Sequence, residues 1–215
     1  VCSLEMSRLS VGWRVVALEA RVDAFSLMTG HLTGPEMRRV GDAMARLAER
    51  RLAIDDAAGQ SVSGLCAKVR RLTARYGAGI VFVDYLQLMH ASGENRTQEI
   101  TQISGRLKAL AKDLNVPVVV LSQLTRDNAK GGAASRPQLH HLRDGGSIEQ
   151  DADVVLMIHR PNKATDHGRF TDGEEVELIL AKQRNGPANV NSKVHWHGPT
   201  MRFTDITTSH EEGAA

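Results

Sequence analysis

Lys182 and Arg184 stand two residues apart in "LILAKQRNGP", where an apolar run ends. Side chains alternate with a period of two along a β-strand, so both cations would project from one face at the strand's exit. Leucine and isoleucine before them favour a strand, and Asn185-Gly186-Pro187 favours its end. Such a pair either faces some negative charge or is a solvated strand terminus. Three more residues directly follow apolar runs: Asp84 in "GIVFVDYLQL", Gln123 in "VVVLSQL" and Glu5 in "SLEM". In α/β folds the carboxyl ends of strands form the ligand-binding edge. Singly, Asp84 could cap a turn or helix and Gln123 could be a loop residue. Brought to one edge, the three suit metal-assisted hydrolysis of a phosphoanhydride. Asp84 would assist Mg²⁺, Glu5 would polarise water, and the Gln123 amide would read the γ-phosphate.

Positioning such a set needs a sheet. The chain has 215 residues, enough for one sizeable α/β domain or a cramped pair. A chain of this length buries about 70% of its unfolded surface, so neither a disulfide nor a metal staple is needed. Net charge is +2, too small to imply nucleic acid without a local basic surface. Cys2 and Cys66 lie in apolar stretches without metal-ligand spacing and read as reduced core thiols of an intracellular protein. No apolar run approaches 18 residues, so no transmembrane helix is expected, and the N-terminus lacks a signal-peptide pattern. A cytoplasmic protein is the expectation.

"VCSLEMS" reads as the last residues of a buried strand. Residues 8–22 have helical spacing, with Leu9, Trp13, Val16 and Ala20 on one face. Residues 32–52 form a second helix, which Thr33 and Glu36 could open as a capping box. Residues 52–56, "LAIDD", read as a short strand, and residues 61–77 as a helix stopped at Gly77. "GAGIVFVDYLQLM" is the strongest strand, apolar on both faces like an inner strand covered on both sides. Residues 95–115 form an amphipathic helix with Ile100, Ile103, Leu107, Leu110, Ala111 and Leu114 on its apolar face. "VPVVVLSQ" is another buried strand. A long polar segment, residues 124–146, has the length of a functional loop. "SIEQDADVVLMIHR" gives a helical turn and a strand, residues 163–175 a loop, and the last three apolar segments a closing antiparallel set. The fold class is therefore α/β: one domain with a mainly parallel sheet flanked by helices, antiparallel strands at its C-terminal end, and a frayed tail over residues 208–215.

"SLEMS", "VDYLQLM", "NRTQEITQISGRLKALAKDLNVPVVVLSQLTR", "LRDGGSIEQDADVVLMIHR" and "AKQRNGP" together resemble the C-terminal, RecA-like motor domain of DnaB-type replicative DNA helicases. The resemblance runs in order over nearly the whole chain, and "SIEQDAD" with "AKQRNG" is a specific combination. It implies a RecA-like P-loop NTPase core spanning residues 1–207. It also implies a homo-hexameric ring that hydrolyses ATP with Mg²⁺ between subunits, translocates 5′ to 3′ on single-stranded DNA and unwinds duplex, with a primase and a helicase loader as partners. Glu5 would activate water, Asp84 would support Mg²⁺ through water, and Gln123 would sense the γ-phosphate. Lys182 and Arg184 would be the lysine and arginine finger that reach the neighbour's nucleotide. On that reading the two cations form a rigid phosphate clamp. Arg143 and the backbone around Asp144 and Gly146 would grip a DNA phosphate without reading sequence.

The chain departs from the family pattern in places. His140 and His141 stand where a small residue and an aspartate are commoner, Asp144 replaces a glutamate, and Gly145 replaces a serine. The histidines read as loop residues rather than a metal site. No G-x-x-x-x-G-K-S/T occurs in the sequence, although that loop cradles the phosphates in the family. The first strand and phosphate loop are therefore expected to be missing, and the isolated chain to be inactive. A recombination or clock-type ATPase is a rival that "KQRNG" and "SIEQDAD" oppose. A non-hydrolysing remnant that oligomerises or binds DNA is the rival from another class.

Overall fold

The computed structural model describes residues 1–125, 136–142, 146–161 and 172–206. Strands β1 (Cys2–Ser3), β2 (Val81–Asp84) and β3 (Val118–Val120) form a parallel sheet in the order β1-β2-β3. Helices α1 (Arg8–Ala20), α2 (Ala24–Thr29), α3 (Gly34–Ala48) and α4 (Val62–Tyr76) lie between β1 and β2 in sequence, and α5 (Arg96–Leu114) connects β2 to β3. The short helix α6 (Gly146–Asp151) leads into a second, antiparallel sheet. Its strands β4 (Val154–His159), β5 (Asp172–Gln183), β6 (Val190–His197) and β7 (Arg202–Asp205) run as a simple meander. The "VVLMIH" strand thus joins the three closing segments as a fourth antiparallel member.

The parallel sheet is held by one apolar core. Leu65 of α4 and Ile100, Ile103 and Leu110 of α5 are completely buried against Val81, Val83, Cys2 and Leu4. Truncating any of these four large side chains to alanine costs about 2–5 kcal/mol. The helix termini follow their sequence signals. Thr33 and Glu36 form the reciprocal capping box, Ser61 accepts from the Gly64 N–H, Asn95 caps α5, and Gly77 closes α4 at φ 66°. Cys2 and Cys66 are free thiols in this core, and burial pushes both above the ordinary thiol range.

Several expectations are corrected. "LAIDD" forms only an isolated bridge, Cys2 with Asp55. Its aspartates are used through their side chains: Asp56 accepts from the Arg8 N–H at 2.8 Å, and Asp55 takes Lys68 and Gln60. Such local side-chain bonding competes with a ladder. The second helix ends at Ala48. The first ends at Arg21, in the left-handed region at φ 54°, and α2 follows with Asp23 as its cap. On α1 the buried residues are Ala17 and Ala20, which pack against Val40 and Ala43, whereas Leu9 and Trp13 are exposed. Small residues let the C-terminal half of α1 approach α3, while the N-terminal half carries its apolar side chains beyond that contact.

The inner strands are not covered on both sides. Val81 and Val83 are buried, but Phe82, Val119 and Leu121 are exposed. Among the described residues, α4 and α5 cover one face of the parallel sheet and no helix covers the other. Along β4, Val155 and Met157 are buried while Val154, Leu156 and Ile158 are more than half exposed. Among the described residues β3 pairs only with β2, and β4 only with β5, so each presents one edge without a described partner. The expected loop over residues 163–175 gives way to β5 at Asp172. There Gly173 has φ 75°, and Glu174 is buried against Arg160, with Nε–Oε1 2.8 Å. Among the described residues no helix is long and apolar enough to cross a membrane. The tail over residues 208–215 lies outside the described residues.

Candidate active site

The strand register gathers Glu5, Asp84 and Gln123. Ser3 pairs with Asp84, and Val83 with Val120. Beyond these pairs the Leu4 N–H donates to the Asp84 carbonyl at 2.8 Å, and the Leu121 N–H to the Val83 carbonyl at 2.9 Å. Three parallel strands therefore end together, and the three side chains follow at one carboxyl edge. The Ser3 hydroxyl, itself buried, donates to the Met6 carbonyl at 2.7 Å and closes the turn that carries Glu5. The chain leaves β2 through a cis Asp84–Tyr85 peptide into a 3-10 turn over Leu86–Leu88.

Neither acid is committed to a structural partner. Glu5 is exposed and Asp84 half-buried, and among the described residues neither carboxylate has a hydrogen bond or an ion pair. A half-buried carboxylate without a partner is costly as a structural element and suited to a hard cation or to water. Asp84 therefore fits a role beside Mg²⁺. Gln123 is exposed, and its backbone is fixed by Gln87, whose Oε1 accepts the Gln123 N–H at 3.2 Å while Nε2 donates to Ser122 Oγ at 2.9 Å. Arg96 in turn donates to the Gln87 carbonyl at 2.6 Å and the Met89 carbonyl at 3.2 Å. Gln87 and Arg96 escaped the sequence reading. Gln87 sits three residues past Asp84 in the same motif, which is the one signal that could have found it.

Lys182 and Arg184 lie at the exit of β5 and turn to the same neighbour, as their spacing implies. Lys182 Nζ donates to the Glu149 carbonyl, and Arg184 Nη2 to the Gln150 carbonyl at 3.0 Å. Both oxygens belong to the last turn of α6, where cations satisfy otherwise orphan carbonyls. Arg184 also pairs with Asp153 at 3.3 Å, and the other Asp153 oxygen takes Lys108 of α5. The Lys108 hydrogen bond above all, with the Arg184 and Lys182 charges, holds the Asp153 carboxyl below the usual range. Lys108 and Asp153 also escaped the sequence reading: a lysine on a polar helix face carries no signal, whereas an aspartate opening a strand carries a weak one.

Gly146 is the exposed first residue of α6, with open space where a Cβ would be. Arg143 and Asp144 lie outside the described residues. His141 accepts the Gln138 N–H on Nδ1 at 2.9 Å, closing the 3-10 turn Leu139–His141.

The comparisons with known proteins agree with this architecture. The family model for the DnaB-like helicase C-terminal domain matches residues 1–205. The replicative DNA helicase DnaB of Geobacillus stearothermophilus is 42% identical over 193 residues, covering 87% of this chain and 41% of that protein. Replicative DNA helicase DnaC of Bacillus subtilis (strain 168) is 39% identical over 196 residues, covering 89% of this chain and 42% of that protein. The chain thus spans about two-fifths of the length of these curated relatives. Among solved structures, a DnaB-like replicative helicase, described with its interactions with primase, superposes with a TM-score of 0.84 at 31% identity, covering 95% of this chain and 49% of that one. A second solved structure, described as an ATPase domain, gives the same TM-score and identity, covering 95% of this chain and 73% of that one. With the family model matched from end to end of the described strands, the chain belongs to the DnaB-like helicase C-terminal domain family.

Proposed function

We propose that this chain is the larger part of an ATP-driven motor domain that works in a homo-hexameric ring, translocating 5′ to 3′ on single-stranded DNA and unwinding duplex. The observation that carries the reading is the shared strand edge, where two uncommitted carboxylates and an amide stand within one parallel register. Glu5 polarises the attacking water, Asp84 is the residue that would hold Mg²⁺ through water, and Gln123 reports on the γ-phosphate. Bound Mg²⁺ would supply charge neutralisation on the phosphate oxygens. Lys182 and Arg184 serve the nucleotide of the neighbouring subunit, the guanidinium matching phosphate geometry. Arg143 and the backbone amides around Asp144 to Gly146 grip a DNA phosphate and ignore sequence.

The phosphate-cradling loop comes from outside this sequence, which contains no G-x-x-x-x-G-K-S/T. The unpaired edges of β3 and β4 and the exposed Phe82, Val119, Leu121, Leu156 and Ile158 support a further strand and helix completing the sheet. The chain alone is accordingly inactive as an ATPase. The primase named with one structural relative and a helicase loader are partners of the whole protein, and its compartment is the cytoplasm.

Mixed subunits test the assignment in trans. In the full-length protein, Arg184→Ala and Glu5→Gln each lower turnover severely, leaving a residual rate, with a loss of about 10³-fold or more for the finger. Mixing the two variants restores activity at interfaces where an intact Glu5 faces an intact Arg184. If no mixing ratio restores turnover, the finger does not act in trans and the reading falls.

A further inference from the structure

We propose that Asp153 is a positioning residue for Arg184, holding its guanidinium at the subunit surface in the orientation that meets the neighbour's phosphate; this rests on the assignment of Arg184 as the finger. Asp153 lies between α6 and β4, directly across from the end of β5, where Val154 pairs with Gln183. The Arg184 N–H donates to the Asp153 carbonyl at 2.8 Å. That bond carries the antiparallel ladder one step past the strand and fixes the Arg184 backbone beside Asp153. The side chains then meet, with Asp153 Oδ1 3.3 Å from Arg184 Nη1 and Asp153 Oδ2 on Lys108 Nζ. Arg184 Nη2 reaches the Gln150 carbonyl at 3.0 Å. The guanidinium is thereby held by a hydrogen bond from Nη2 to the Gln150 carbonyl and by an ion pair between Nη1 and the Asp153 carboxylate.

The arrangement orients the arginine without using it up. A guanidinium has five N–H donors in a rigid fork, and among the described residues only the two terminal nitrogens of Arg184 are engaged by its side-chain partners. The Arg184 side chain is 49% exposed, which leaves part of the fork accessible to a ligand. Lys108 anchors the other Asp153 oxygen from α5, the helix that covers the parallel sheet carrying Asp84 and Gln123. Orientation of the finger is in this way tied to the element that packs behind the hydrolysis edge. An exposed ion pair contributes little to stability, so a role in stability alone does not account for a carboxylate shared by two cations here. Lys182 acts on Asp153 through its charge alone, its ammonium being directed to the Glu149 carbonyl.

The test is a double-mutant cycle on ATP turnover in the full-length protein, with a thermal midpoint for every variant. Asp153→Asn is expected to lower kcat by a factor of roughly 3–10, the ordering cost of one long side chain. KM for ATP should stay within about twofold, because each subunit binds nucleotide through its own loop. In the Arg184→Ala background the same substitution is expected to cost nothing further. An equal loss in both backgrounds overturns the proposal, as does a loss that follows the thermal midpoint. If Arg184→Ala itself leaves kcat intact, the finger assignment fails instead. Nitrogen-15 spectra of the Arg184 side chain in this chain then decide the contact separately. Slowed guanidinium exchange that Asp153→Asn abolishes supports the positioning contact, and identical spectra overturn it.

Discussion

Removing the Arg160 guanidinium should weaken the antiparallel sheet severely while leaving the chemistry of the far end of β5 untouched. Glu174 is almost wholly buried, its side chain 2% exposed, and Arg160 is 17% exposed. The pair is bidentate, with Nε on Oε1 at 2.8 Å and Nη2 on Oε2 at 2.5 Å. It joins the residue after β4 to the start of β5. Arg160→Ala leaves the Glu174 carboxylate buried without its fork, and breaking a buried pair on one side costs about 3–5 kcal/mol. Because Arg160 keeps some solvent contact, the lower end, about 3 kcal/mol, is the working figure. For a chain of this size that is a fall of roughly 6–12 °C in thermal midpoint. Glu174 and Arg184 are ten residues apart, about 34 Å of extended strand, so the finger should feel only the loss of stability. Urea unfolding of the isolated chain, with Arg160→Ala and Glu174→Gln beside the parent, measures the effect. A loss below about 1 kcal/mol for Arg160→Ala would refute the reasoning, because it would show the carboxylate to be solvated in the folded chain.

Asp55 gives a pH-dependent counterpart. Burial pushes its carboxyl up, but hydrogen bonds from Lys68 and Gln60 outweigh burial and hold it below the usual range. A depressed carboxyl stabilises the fold above its unfolded pKa of about 3.9, and that contribution is lost as pH falls through the folded value. Lys68→Ala should therefore destabilise at pH 7, with the difference from the parent shrinking in urea titrations below about pH 4; a gap unchanged with pH would contradict the pairing. The open edge of β4 should make the isolated chain self-associate through Val154, Leu156 and Ile158, an exposed apolar edge strand being a template for pairing. Leu156→Lys should reduce that association in light scattering without lowering the thermal midpoint, and unaltered scattering would show that β4 is not the contact.

Local signals in the sequence were enough for the elements that carry their own instructions. The Thr33–Glu36 box and the glycine at Gly77 bound their helices because capping is decided by a few adjacent residues. The α5 stripe of Ile100, Ile103, Leu107 and Leu110 is buried as its spacing requires. Glu5, Asp84 and Gln123 were legible because each ends an apolar run, and strands that run in parallel must end on one edge. What lay beyond reach depended on partners distant in sequence. Phe82 and Val119 look like core on composition but are exposed, since burial of a second sheet face requires something to cover it. "LAIDD" lost its ladder because Asp55 and Asp56 found Lys68 and Arg8, 13 and 48 residues away. The two cations of "AKQRNG" announced by their spacing that they share a face. Only the tertiary structure showed that this face meets the carbonyl end of α6 and the Asp153 carboxylate, because the partners of a charged side chain are chosen by the fold and not by its neighbours in the chain.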